Sequence, residues 1–265
     1  MGFTELTNDP IGYLLSLLPL IPAILPALIL HEVAHGYVAY RLGDPTAKLM
    51  GRLSLNPLRH LDLWGTISMF LIGLGWAKPV PVNPRYFRHP RRDDFLVSIA
   101  GVTANLLMFI TGCVLMYLFV GLGLRAVPQE MWLNADEYLV ETGGTLYRVS
   151  RADVWYMAPG MGEYLIVPYL GKGWAFVYEV VTNFAVCNVC LAVFNLLPIP
   201  PLDGYHVLND LLIKKSLFAP YKLMQAGRAL LLILMVTGLL DKGLSWAISG
   251  LFDAVGHLAL SLAGY

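Results

Sequence analysis

One run of residues constrains this chain more than any other. "LLSLLPLIPAILPALILHEVAHGYVAY" (Leu14–Tyr40) is apolar over most of its length, yet it carries two histidines and a glutamate. About 20 apolar residues in a helix cross a ~30 Å hydrocarbon core. Lipid offers backbone groups no partners, so such a segment must be helical. The chain has further apolar runs of this kind. Hydrophobic residues make up 57% of it and charged ones 14%, against about 25% charged in soluble domains. The fold class this predicts is mainly α: a polytopic transmembrane helix bundle of about five to six spans.

The first span runs from about Ile11 to Leu42. As a straight helix it would be roughly 48 Å long, too long for the bilayer. Pro22 and Pro26 predict a kink within it. Leu61–Trp76 is short and glycine-containing, which predicts a short or re-entrant span. Further spans are expected near Phe95–Leu122, Trp174–Leu197, Tyr221–Leu240 and Leu244–Leu262. The first ten residues, "MGFTELTNDP", have two acids and no basic residue. That is not the n-region of a cleaved signal peptide, so the first span is expected to be retained.

Charge orients the spans. Lys78–Arg92 holds five basic residues and no acid, and Arg41–Arg59 holds four basic residues against Asp44. Lys214, Lys215, Lys222 and Arg228 form a third basic group. Gly123–Gly173 has six acids against four basic residues. By the positive-inside rule the basic loops face the cytoplasm and 123–173 faces out. The domain reading is a single membrane domain over 1–265 with an extracytoplasmic insertion at about 123–173. The formal net charge is zero, which gives no general attraction to nucleic acid. Cys113, Cys187 and Cys190 form no disulfide framework. The "CNVC" pair sits in an apolar run and reads as helix packing.

His31 and His35 lie four residues apart, on one face of a helix, the spacing two imidazoles need to share a zinc ion. Glu32 lies between them. This is the H-E-x-x-H pattern, in which the glutamate is the general base. A glutamate inside a membrane helix costs about 2.5–3.5 kcal/mol to insert and so marks function. If the membrane surface is near Arg41, the histidines sit roughly 9 and 15 Å below it. A catalytic zinc takes three protein ligands and keeps one position open. The third is sought in "FNLLPIPPLDGYHVLNDL" (Phe194–Leu211), where three prolines must interrupt a helix near the membrane boundary. Irregular backbone at that depth is tolerated where it lines a cavity. Asp203 and His206 both fit, and spacing does not choose between them.

The pairing of "HEVAH" with "NLLPIPPLDG" resembles the site-2 protease family of intramembrane zinc metalloproteases. The similarity extends through "RLGDPTAKLMGRLSLNPLRHLDLWGT", "GWAKPVPVNPRYF" and "SIAGVTANLL". It covers most of Leu28–Asp210 apart from the acidic segment, and points to the compact prokaryotic type without inserted peptide-binding or regulatory domains. The resemblance implies one zinc per chain, bound by His31, His35 and Asp203, with Glu32 as catalytic base. It implies that Asn105 and Asn195 contact substrate, although "GVTAN" has Val102 where the family usually has proline. It implies single-span membrane proteins as substrates, cut in or near their transmembrane segments, a membrane regulatory partner, and residence in a prokaryotic cytoplasmic membrane. "KLMGRLSLNP" (48–57) and "AKPVPVNP" (77–84) are extended by composition. They predict a membrane-associated β-hairpin near the cytoplasmic side, whose edge could accept an unwound substrate. Two other readings fit a polytopic chain: a zinc transporter and an inactive adaptor. The first needs ligands across the whole bilayer, and the second would be expected to show a damaged motif.

Overall fold

The computed structural model describes residues 7–72, 77–134, 137–142, 145–150, 154, 171–213 and 220–263. A short helix α1 (Pro10–Leu17) leads into α2 (Leu20–Arg41). The break falls at Leu18–Pro19, ahead of both prolines expected to cause it. Pro19 takes the N-cap position of α2, and Pro22 lies in its first turn, where a missing N–H breaks no helical bond. Pro26 is accommodated inside the helix. The 22 residues of α2 span about 33 Å, one bilayer crossing.

After α2 come the turn helix α3 (Thr46–Leu49) and α4 (Leu63–Ile72). Next is α5 (Pro90–Ala126), which begins earlier than the expected span. Pro90 occupies its first position, and the Asp93 carboxylate accepts a 2.9 Å hydrogen bond from the His89 N–H. Polar "RRDD" therefore forms the first turns of the same helix, outside the apolar stretch. Strands β1 (Glu137–Thr142) and β2 (Thr145–Ser150) pair antiparallel, Glu137 opposite Ser150 and Thr142 opposite Thr145. Val149 and Val154 pack with Val120 and Val127 at the end of α5. The chain continues through α6 (Lys172–Asn195), the short α7 (Asp203–Leu208), α8 (Tyr221–Val236) and α9 (Leu239–Ala263).

The centre is a three-helix core of α2, α5 and α6, with α9 packed on the outside of α6. Small residues let the helices approach closely. A Cβ on Gly112 of α5 would lie 2.9 Å from that of Ala185 on α6, the small-residue contact expected where helices associate in lipid. Four described helices are long and apolar enough to cross a membrane: Leu20–Arg41, Pro90–Ala126, Gly173–Asn195 and Leu239–Leu262. At 16 residues, α8 falls short of the ~20 required. The expected short span at 61–76 contains the 10-residue α4, and its residues 73–76 lie outside the described ones. The five-to-six count is thus four among the described residues.

The hairpin expected from 48–57 and 77–84 also differs. Among the described residues these stretches meet in no ladder, and the nearest strand-like contact is a single antiparallel bridge, Leu61 to Ala77. Pro79, Pro81 and Pro84 cannot donate ladder bonds. The buried Arg52 guanidinium joins the two stretches instead, donating to the carbonyls of Lys78 (2.5 Å) and Pro79 (3.0 Å). The Asp44 carboxylate holds the Asn83 N–H at 2.6 Å. Residues 78–83 are thereby fixed beside α2 without regular secondary structure, ahead of a 3-10 turn that begins at Pro84. The described hairpin is β1–β2, within the acidic segment.

Candidate metal centre

α2 carries His31 and His35 on the face turned toward α5. Each ring is held by its Nδ1. His35 Nδ1 lies 2.7 Å from the Val97 carbonyl of α5. A carbonyl only accepts, so that nitrogen carries the proton. His31 Nδ1 lies 2.5 Å from Asn105 Oδ1. The Asn105 amide nitrogen faces the Ala27 carbonyl (3.4 Å) and Asn188 Oδ1 (2.8 Å), which turns its oxygen to His31 and makes His31 Nδ1 a donor as well. Both Nε2 lone pairs are left free.

These lone pairs converge. His31 Nε2 and His35 Nε2 are 3.0 Å apart, and each is 3.3 Å from Asp203 Oδ2. Three acceptor atoms with no proton between them repel unless a cation sits among them. The carboxylate oxygen is buried with no hydrogen-bond partner. A tetrahedral zinc with bonds of 2.0–2.1 Å separates its ligand atoms by about 3.3 Å. The triangle has that size, and its donors, two neutral imidazoles and a carboxylate, suit zinc. Among the described residues no other group of three or more His, Cys, Asp or Glu is placed to hold a metal ion. Both rings also donate from the far nitrogen, to Asn105 Oδ1 and to the Val97 carbonyl, which fixes their orientation toward a metal.

The loop from α6 to α7 delivers Asp203. Asn195 ends α6, and "LLPIPPL" turns the chain so that Asp203 opens α7. Gly204 allows the turn to close: a Cβ there would lie 2.2 Å from the Leu196 carbonyl oxygen. Glu32, one residue after His31, points along the same cavity. Its Oε2 accepts a 2.8 Å hydrogen bond from the Val80 N–H. The cavity measures about 370 Å³, and besides His31, His35 and Asp203 its lining includes Glu32, Pro79, Val80, Asp94, Asn195 and His206.

The sequence profile described as peptidase family M50 matches residues 19–234. The chain belongs to peptidase family M50. It is 36% identical over 200 residues to "Putative zinc metalloprotease YwhC" of Bacillus subtilis, covering 75% of this chain and 72% of the relative. It is 28% identical over 255 residues to "Putative zinc metalloprotease Rip2" of Mycolicibacterium smegmatis, covering 94% and 79%. The protein of that name in Mycobacterium tuberculosis is 28% identical over 256 residues, covering 94% and 79%. No solved structure matches the chain at a significant level. The protein is a zinc metalloprotease of the site-2 protease type, as its motifs led us to expect.

Two asparagines of this M50 peptidase separate in the structure. Asn195 lines the cavity, its amide nitrogen donating to the Leu191 carbonyl at 3.0 Å. Asn105 is fully buried, and its oxygen faces His31. Three residues of the site escaped sequence reasoning. Gly101 faces the ligating rings from α5: a Cβ there would lie 2.3 Å from His35 Nε2 and 2.6 Å from His31 Cε1. Asn188, on α6, fixes the Asn105 amide and itself donates to the Phe184 carbonyl. Asp94, on α5, lines the cavity and binds His206 Nδ1 at 3.0 Å. His206 therefore does not join the ligand triangle. Its pKa is raised chiefly by this hydrogen bond to Asp94, with burial opposing. The available signal was the carboxylate pair "DD" at the head of a membrane helix.

Proposed function

We propose that this protein is an intramembrane zinc endopeptidase that cuts other membrane proteins in or near their transmembrane segments, the reaction of regulated intramembrane proteolysis. What carries the reading is the His31–His35–Asp203 triangle, set between helices of membrane-spanning length and opening on a cavity that also contains Glu32. One zinc per chain would be held by those three side chains. Bound there, zinc supplies Lewis-acid polarisation of a carbonyl and brings the pKa of a water toward 7.

The chain's own groups do the rest. Glu32 takes a proton from the attacking water and returns it to the leaving amine. The Val80 N–H orients its carboxylate. Asn105 acts through His31, fixing its ring and tautomer. Asn195 binds the substrate backbone, and His206, its Nδ1–H held by Asp94, donates from Nε2–H to a substrate oxygen in its protonated form, which Asp94 favours. The stretch 79–83 gives an unwound substrate a wall to lie along.

The same reading has 1–265 as a single protease domain in a prokaryotic cytoplasmic membrane, with 123–173 outside and the basic loops inside. In it α4 and α8 complete five to six membrane-embedded segments. Substrates are single-span proteins, and a membrane protein partner regulates access. The test is reconstitution of the full chain in liposomes with a panel of single-span reporters, fragments being sized by mass spectrometry. Cleavage that is abolished by a chelator and restored by zinc is expected. A panel left intact by a zinc-loaded protein would refute the reading.

A further inference from the structure

We propose a second binding site, for the headgroup of an anionic phospholipid, between the C-terminus of α2 and the N-terminus of α5. A cavity of about 360 Å³ lies there, lined by Arg41, Gly43, Arg88, His89, Arg92 and Asp93 among others. Three arginines line it against one aspartate. The Asp93 carboxylate is 2% exposed as a residue and already accepts from the His89 N–H. Among the described residues no carboxylate ion-pairs with Arg41, Arg88 or Arg92. Three arginines are thus gathered against the single buried carboxylate of Asp93, and the dipole ends of α2 and α5, opposite in sign, leave that excess of positive charge in place.

Position selects the ligand. Arg41 is the last residue of α2 and Pro90 the first of α5, and both helices have membrane-spanning length. The cavity therefore sits where hydrocarbon gives way to headgroups. Tyr37, half exposed and one turn before Arg41, accepts a 3.0 Å hydrogen bond from its guanidinium, which also lies 5.9 Å from the ring centroid. An aromatic ring and an arginine at this level are interfacial anchors. Gly43, with φ +108°, closes the α2 end in a conformation that favours glycine. The cavity is joined to the metal centre by an apolar seam, Ala39, Phe87 and Val97, and Val97 is the residue whose carbonyl holds His35. A phosphodiester bridging the two helix ends braces that seam.

This inference rests on the reading of the chain as a membrane protein, not on its catalysis. The test uses the full chain in nanodiscs of phosphatidylcholine alone or with phosphatidylglycerol. Readouts are lipid retained in native mass spectrometry and the thermal unfolding midpoint. Wild type is expected to retain phosphatidylglycerol and to unfold at higher temperature with it. Arg88→Gln/Arg92→Gln should weaken retention about thirtyfold, at roughly fivefold per cation. Lys222→Gln/Arg228→Gln removes equal charge from α8 and should change it little. Equal retention by both double variants overturns the proposal. So does a stabilisation by inorganic phosphate alone, in detergent, that matches the lipid effect, because the ligand would then be a free anion. A chain that fails to enter nanodiscs refutes the membrane reading itself.

Discussion

Gly101 offers the sharpest structural test of the metal centre. A Cβ at this position would lie 2.3 Å from His35 Nε2, 2.6 Å from His31 Cε1 and 2.7 Å from His35 Cε1. Non-bonded heavy atoms settle at about 3.5 Å, so Gly101→Ala forces the His35 ring back by roughly 1 Å unless the helices separate. Metal sites tolerate only about ±0.2 Å in a ligand distance. Loss of an outer-shell partner typically weakens metal binding 10–100-fold. Displacing a ligand itself should reach at least the upper end, about hundredfold or ~2.7 kcal/mol. Gly121→Ala is the control, on the same helix with nothing within 4 Å of the added carbon. Both changes gain up to ~1 kcal/mol of helix propensity, so their difference isolates the clash. The assay is zinc bound per purified chain across a chelator-buffered zinc series. A Gly101→Ala protein that binds zinc like wild type would refute the placement of α5 against the imidazoles.

Other perturbations follow from the same geometry. Asn105→Ala should weaken zinc 10–100-fold by freeing the His31 ring; Asn188→Ala should do so less, and the double variant should be less than additive, measured by the same zinc series. Gly227→Ala pushes a carbon to 2.0 Å from the Pro200 carbonyl oxygen and should cost about 1–3 kcal/mol of stability, read by thermal unfolding. Asp94→Asn should lower the pKa of His206, followed by NMR, since Asp94 is the main group raising it. Because the folded pKa is the higher one, the pair's contribution is full below the usual histidine value of about 6.5 and fades as pH rises through the folded value. The Asn variant should lack that loss of stability above about pH 6.5.

What the sequence disclosed depended on how local the determining interactions are. His31, Glu32 and His35 sit within one helical turn, so their spacing alone put them together. Asp203 was narrowed to a proline-rich break, but its choice over His206 came from family likeness. The structure separates the two through Asp94, 112 residues from His206, a distance no local pattern spans. Gly101 and Asn188 escaped for the same reason: their roles exist only once α5 meets α2 and α6. The β composition of 48–57 and 77–84 misled because Arg52, a charged side chain, takes the carbonyls a strand would have bonded. The break before α2 fell at Pro19 because a helix starting there keeps every bond that Pro22 would otherwise cost.

The most direct measurement pairs zinc content with cleavage of single-span reporters for wild type and Glu32→Gln. Glu32 is not one of the three converging ligand atoms, and its carboxylate is held by the Val80 N–H. The account predicts that both proteins bind zinc equally, about one per chain, and that only wild type cleaves. Cleavage by Glu32→Gln at the wild-type rate would contradict it.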